Sequence, residues 1–290
     1  MNHESKSGRM LLRFMIFMIL MISPGLALAE EGSDASAKYN SLDSLFTLYQ
    51  PYLINIEAYE PIYFLAGADL SKSKFQISLK FRLFNSSESL AKKHPWVKGF
   101  HAAYTQTSFW DLAAASAPFD DTSYKPEFFF LTSNLFFSTQ SVRRLFIQTG
   151  YQHESNGKAD PDSRSTHYLY MKPIFIFFNE HKGVGLQASV KGWTYILNDN
   201  KTNPDLADYR GYVEFGLKFG KVDSVVVNAV ALWARKGASV ETDLTYPLKH
   251  YFLKNLGMYL HLQYTNRLVE KLIDYEKRTD VFRAGLSIVR

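Results

Sequence analysis

Apolar and polar residues alternate with a period of two along much of the chain. Phe75-Gln76-Ile77-Ser78-Leu79-Lys80-Phe81-Arg82-Leu83 alternates without a fault, and so does Val213-Glu214-Phe215-Gly216-Leu217-Lys218-Phe219. Leu260-His261-Leu262-Gln263-Tyr264 repeats the pattern. Near the end, Phe282, Ala284, Leu286 and Ile288 share one side while Arg283, Gly285 and Ser287 share the other. Successive residues of a strand point to opposite faces, so the pattern predicts strands with one greasy face and one polar or small face. From about Tyr52 onward, the segments and their turns predict roughly twelve strands of about 9–11 residues each. Turns are expected at Phe84 to Ser87, Asn179 to Gly183, Gly220 to Ser224 and Arg235 to Gly237. No internal repeat, low-complexity tract or second domain interrupts the series.

Such alternation suits two architectures. A soluble sandwich or lipocalin-like barrel buries the greasy face, whereas a membrane barrel turns it outward. The N-terminus helps to separate them. Lys6, Arg9 and Arg13 form a basic start, and Phe14 to Ile22 is apolar but shorter than the ~20 residues that span a bilayer. Pro24 and Gly25 end that run, and Ala27-Leu28-Ala29 fits a small-x-small cleavage site. Residues 1–29 therefore read as a secretory signal, 30–48 as a polar periplasmic arm, and 49–290 as the barrel. Aromatic residues make up 16% of the chain, with 18 Tyr and 23 Phe, a load that fits the girdles of a membrane barrel. After the signal there is no apolar run of transmembrane-helix length. The expected fold class is all-β, a closed transmembrane barrel.

Composition then narrows the chemistry. The chain has no cysteine, which excludes disulfides, thiolate metal sites and a cysteine nucleophile. The net charge of +5 is dispersed and forms no basic stripe with interleaved aromatics, so nucleic acid is not an expected partner. A weak attraction to anionic lipid head groups is the simpler reading.

Candidate chemistry is concentrated in Tyr151-Gln152-His153-Glu154-Ser155-Asn156-Gly157, followed by Asp160-Pro161-Asp162-Ser163-Arg164-Ser165. His153 and Ser155 are two apart and share a strand face with Tyr151, Thr149, Ile147 and Leu145. A nucleophile and a base on the greasy side of a strand suit an enzyme whose substrate is lipid. His101, His181, His250 and His261 read as loop or girdle residues.

His153-x-Ser155-Asn156-Gly157 followed by Ser163-Arg164-Ser165 resembles the signature of outer-membrane phospholipase A. The likeness extends to Tyr49-Gln50-Pro51-Tyr52-Leu53-Ile54, Lys74 to Leu79, Tyr104-Thr105-Gln106, Trp110, Ser116-Ala117-Pro118-Phe119, Asn203-Pro204-Asp205 and Leu272-Ile273-Asp274-Tyr275. The resemblance implies a twelve-stranded antiparallel outer-membrane barrel. It further implies calcium-dependent hydrolysis of acyl esters, at either position of glycerophospholipids and in lysophospholipids. Activity would belong to a homodimer with substrate pockets between two barrels. On this pattern Ser155 is the nucleophile and His153 acts first as base and then as acid. Asn156 N–H stabilises the oxyanion, with Gly157 relieving the turn. Calcium (Ca2+) takes the Lys158 carbonyl, the Ser163 hydroxyl and an oxygen of the partner subunit's Ser116, while Asp205 is a further ligand used in the monomer. Gln106 hydrogen-bonds across the dimer.

One position departs from the family. The third member of its triad is an asparagine twelve residues after the serine, and here that residue is His167. It must accept the Nδ1–H of His153. A neutral imidazole can do so through one ring nitrogen; a protonated one cannot. His167 shares parity with Leu169 and Met171, which puts it on the dyad's side of the wall. A working but weaker and more pH-sensitive enzyme is expected. The alternative is a non-catalytic outer-membrane barrel, structural or a narrow pore, that lost turnover through His167. Acyl transfer would use the same nucleophile.

Overall fold

The computed structural model describes residues 55–85, 89–135, 142–179, 181–199, 201–221, 223–250 and 257–290. Within them the strands are β1 (Ile56–Ala58), β2 (Ile62–Gly67), β3 (Ser73–Arg82), β4 (Phe100–Trp110), β5 (Phe119–Leu131), β6 (Val142–Ser155) and β7 (Ser165–Asn179). They continue with β8 (Val184–Asn198), β9 (Val213–Lys221), β10 (Val226–Ala234), β11 (Gly237–Pro247), β12 (Tyr259–Arg267) and β13 (Thr279–Val289). The expected signal over 1–29, the arm over 30–48 and the first residues of the likeness at 49–54 lie outside the described residues.

Strands β2 to β13 pair antiparallel in sequence order, and β13 pairs back with β2, closing a barrel of twelve strands. β1 belongs to the same stave as β2. It pairs with Leu79 to Phe81 of β3, while β2 pairs with Lys74 to Gln76 of the same strand. The break falls at Tyr59-Glu60-Pro61, where proline removes a ladder donor. β3 side chains bridge it: Glu60 N–H donates to Ser78 Oγ at 3.0 Å, and Gln76 Nε2 donates to Pro61 O at 2.8 Å.

The wall is greasy outside and polar inside. Along β13, Phe282 and Ile288 are 54% and 55% exposed, whereas Arg283 and Ser287 are each 1% exposed. Ile77, Leu79, Phe175, Phe177, Phe215, Leu217 and Phe219 are also exposed, while Ser78, Thr105, Glu127, Gln152, Asp243 and Gln263 are buried. A soluble barrel would show the reverse, so the outward face is built for lipid. No helix among the described residues is long and apolar enough to cross a membrane. β6, β7 and β8 run to 14, 15 and 15 residues, longer than the expected 9–11. Their extra residues carry the wall beyond the span that hydrocarbon requires.

Charged networks fill the lumen around a cavity of about 540 Å³. Lys74 pairs with Glu241 at 3.0 Å and Glu270 at 3.1 Å, and Arg283 pairs with Glu270 at 2.8 Å. One end of the barrel is closed by interlocked loops. Leu206 from the β8–β9 connection packs with Leu268, Val269, Leu272 and Tyr275 from the β12–β13 connection. Ile273 N–H donates to Asp121 of β5 at 3.0 Å, and Lys271 pairs with Asp120. The β6–β7 connection leaves the wall at this same end.

Candidate active site

The β6–β7 hairpin sets His153 opposite His167, Ser155 opposite Ser165, and Tyr151 opposite Leu169. The alternate residues Gln152, Glu154, Thr166 and Tyr168 are buried in the lumen. Tyr151, His153, Ser155 and His167 therefore all face outward, as the parity argument predicted. The lumen holds them there. Glu154 pairs with Arg210 of the short helix Leu206–Arg210 at 2.7 Å and accepts from Ser123 Oγ at 2.5 Å. An anchored Glu154 fixes the orientation of the residues on either side of it in a pleated strand.

On the outer face, the Nδ1 atoms of His153 and His167 lie 3.2 Å apart, with ring centroids 4.3 Å apart. The Tyr151 hydroxyl lies 2.6 Å from the same His167 Nδ1. Ser155 stands opposite Tyr124 of β5 on its other side. Among the described residues no hydrogen bond joins Ser155 Oγ to the His153 ring.

The turn after Ser155 is tightly organised. Asn156 is buried; its side chain donates to Asp162 O at 2.8 Å and accepts from Arg164 N–H at 2.9 Å. Its own N–H already donates to Arg164 O at 3.1 Å. The donor expected for the oxyanion is thus engaged in closing the turn. Gly157 follows at φ +67°, and its N–H has no partner among the described residues. A Cβ there would come within 2.8 Å of the Tyr124 ring, so only glycine fits both the backbone and the space.

The residues expected to hold calcium are spread over three loops. Lys158 and Ser163 share the β6–β7 connection, and neither the Lys158 carbonyl nor the Ser163 hydroxyl has a hydrogen-bond partner among the described residues. Two free hard oxygens suit calcium, which prefers such donors. Among the described residues no group of three or more His, Cys, Asp or Glu side chains is placed to hold a metal ion. The Lys158 ammonium donates to Asp120 O at 2.8 Å, which ties this loop to β5. Ser116 is exposed in the β4–β5 connection, beside Ala117 at φ +39°. Asp205 accepts from the Tyr275 hydroxyl at 2.6 Å. Burial, followed by that carboxylate, pushes the Tyr275 phenol well above its ordinary range. Gln106 faces outward, not into the lumen. It accepts from Tyr104 OH at 3.0 Å and donates to Ser108 Oγ at 3.2 Å. Its cross-strand neighbour Tyr124 is also the neighbour of Ser155, so Gln106, Tyr124 and Ser155 form one row across β4, β5 and β6.

Two supporting residues were given no role by the sequence, although Asn203 lies within the family likeness. Asn203 is fully buried and brackets Ser165, accepting from its N–H at 3.3 Å and donating to its carbonyl at 3.1 Å. Tyr124 packs against Gly157 and adjoins Ser155. Both act through cross-strand and loop contacts that periodicity does not reveal. Tyr151 was placed on the right face by parity, but its bond to His167 was not visible.

The sequence model of the family described as Phospholipase A1 matches residues 50–288. Phospholipase A1 of Escherichia coli (strain K12) is 30% identical over 261 residues, covering 85% of this chain and 83% of its own length. Phospholipase A1 of Proteus vulgaris is 30% identical over 281 residues, covering 90% and 87%. Among solved structures, the Salmonella typhi outer membrane phospholipase dimer with bound calcium superposes with a TM-score of 0.64 at 25% identity, covering 81% of this chain and 92% of that one. An active-site mutant of Escherichia coli outer membrane phospholipase A superposes with a TM-score of 0.64 at 26% identity, covering 81% and 91%. This chain belongs to the phospholipase A1 family of ester hydrolases.

Proposed function

We propose that the chain is a calcium-dependent outer-membrane phospholipase. It would hydrolyse acyl esters at both positions of glycerophospholipids, and those of lysophospholipids, through Ser155 and His153, as a homodimer. The observation that carries this reading is the outward placement of Ser155, His153 and His167 on one hairpin, facing the lipid from which a substrate would come. Membership of the family and the calcium-bound dimer of the Salmonella typhi relative support it.

Ser155 Oγ attacks the ester carbonyl while His153 Nε2 takes its proton. As the carbonyl re-forms, the bond from its carbon to the ester alkoxy oxygen breaks, and His153 returns the proton to that departing oxygen. Water repeats the sequence on the acyl-enzyme and releases fatty acid. Gly157 N–H is the better oxyanion donor, because Asn156 N–H is already bonded to Arg164 O. Lys158 O and Ser163 Oγ, with the partner subunit's Ser116 and in the monomer Asp205, would hold calcium, which supplies positive charge near the developing oxyanion. Gln106 sits on the outward face in the same row as Ser155, where a second barrel would meet it. Residues 1–29 would be removed on export.

The test is fatty-acid release from mixed phospholipid–detergent micelles by refolded protein, with calcium or with chelator, beside Ser155→Ala. Calcium-dependent release that disappears in Ser155→Ala supports the proposal. No release from a folded dimer overturns it in favour of the non-catalytic barrel. Transfer of the acyl group to an added alcohol in preference to water would make the enzyme a transferase.

A further inference from the structure

His167 can serve His153 only if its Nδ1 carries no proton. A neutral imidazole has one N–H and one lone pair, and nothing in the ring itself assigns them. The Nδ1–Nδ1 contact at 3.2 Å holds a single proton, which either ring can carry. With the proton on His153, its Nε2 is bare and can take the proton of Ser155. With the proton on His167, the Nε2 of His153 is protonated and useless as a base. An asparagine would not face this choice, because its amide oxygen is always an acceptor.

We propose that Tyr151 is a positioning residue that makes the choice. Its hydroxyl lies 2.6 Å from His167 Nδ1, closer than the His153 nitrogen does. A hydroxyl can also accept, but this one has no other acceptor for its proton among the described residues, so donation to Nδ1 is the arrangement that uses it. That bond needs the lone pair at Nδ1 and places the His167 proton on Nε2. The proton of the histidine pair then belongs to His153. Tyr151 also stops the His167 ring from turning, since a turned ring loses the hydrogen bond. The two donors share one lone pair, so the bond to His153 is weaker than one to an amide oxygen, which has two. The contacts therefore run from Tyr151 to His167 to His153, across two neighbouring strands, with Ser155 next on the same face of β6. Tyr151 is two residues before His153, so both project from the same face of β6.

This inference rests on the phospholipase reading, but it has a readout that does not. Ring-nitrogen NMR of histidine-labelled, refolded protein in micelles reports which nitrogen of His167 is protonated. In the native chain Nδ1 of His167 should be bare; in Tyr151→Phe it should become a mixture of tautomers. A protonated Nδ1 in the native chain, or no change in Tyr151→Phe, overturns the proposal whether or not the barrel is an enzyme. Kinetics give the second arm. Tyr151→Phe should lower kcat about fivefold, the worth of one net hydrogen bond, with KM unchanged. The same substitution in a His167→Asn background should change kcat less than about twofold. Equal losses in the two backgrounds would mean that Tyr151 acts elsewhere.

Discussion

His153 and His167 stand directly opposite each other on β6 and β7, with their Nδ1 atoms 3.2 Å apart. Two titratable rings therefore occupy places where the family has a histidine and an asparagine. On the proposed mechanism a charge on either ring stops turnover, since a charged His153 is no base and a charged His167 no acceptor. At 3.2 Å a charge on one ring opposes a charge on the other, so the pair takes up one proton and the acid limb of the rate profile should have a slope of about one in log rate against pH. His167→Asn removes one of the two places for that proton, so the limb should move to lower pH while the rate near pH 8 changes little. A pH–rate profile of both proteins on one substrate checks this. Superimposable profiles would show that His167 does not report to His153.

Gly157 offers a test of the turn. At φ +67°, alanine costs about 1–2 kcal/mol in backbone strain, and its Cβ would also press on the Tyr124 ring at 2.8 Å. Relief requires Tyr124 or the turn to move, and both adjoin Ser155. Gly157→Ala should leave the barrel folded but lower kcat about tenfold or more. Tyr124→Ala in the same chain should restore part of the loss by opening that space. Rates measured on the single and double variants decide it.

Inside the barrel, Glu270 bridges Lys74 and Arg283 from the β12–β13 connection, with its side chain 3% exposed. Burial pushes its carboxyl up, but the two cations outweigh burial and hold it down to about 2, against an ordinary 4.5. A depressed acid stabilises the fold fully above its unfolded value and loses that contribution as pH falls towards the folded one. Stability should therefore decline between about pH 4.5 and pH 2, and Glu270→Gln should remove that part of the decline. At neutral pH the same variant leaves two cations with one partner fewer, at a cost of about 3–5 kcal/mol. Urea unfolding in detergent at pH 7 and at pH 3 measures both effects.

Much of this was legible in the chain and part was not. The greasy and polar faces of β3, β9 and β13 follow from strict alternation, and parity alone put His153, Ser155 and His167 on one side. The pairing of His153 with His167 needed the centre of the hairpin: both lie seven residues from Asp160, but only the fold shows that the turn is centred there. The break at Tyr59-Glu60-Pro61 was hidden because β3 side chains, not local propensity, hold it together. That Asn156 N–H, the donor expected for the oxyanion, is engaged in the turn was hidden for a similar reason. Which N–H is free depends on Arg164, eight residues away, folding back to close the turn.

The proposed calcium dependence can be tested on particular oxygens. The Ser163 hydroxyl and the Lys158 carbonyl lie on one connection, but only the hydroxyl can be deleted by substitution. Ser163→Ala should raise the calcium needed for half-maximal activity about tenfold or more, since a hard cation loses one of its few protein oxygens. Lys158→Arg should change it little, because the carbonyl stays and the longer cation can still reach Asp120 O. Lys158→Ala should weaken activity without a large shift in the calcium midpoint, because it frees the loop from β5 while leaving the carbonyl. Titration of calcium into chelator-treated protein, read by fatty-acid release, separates the three. An unchanged midpoint in Ser163→Ala would remove that hydroxyl from the calcium site.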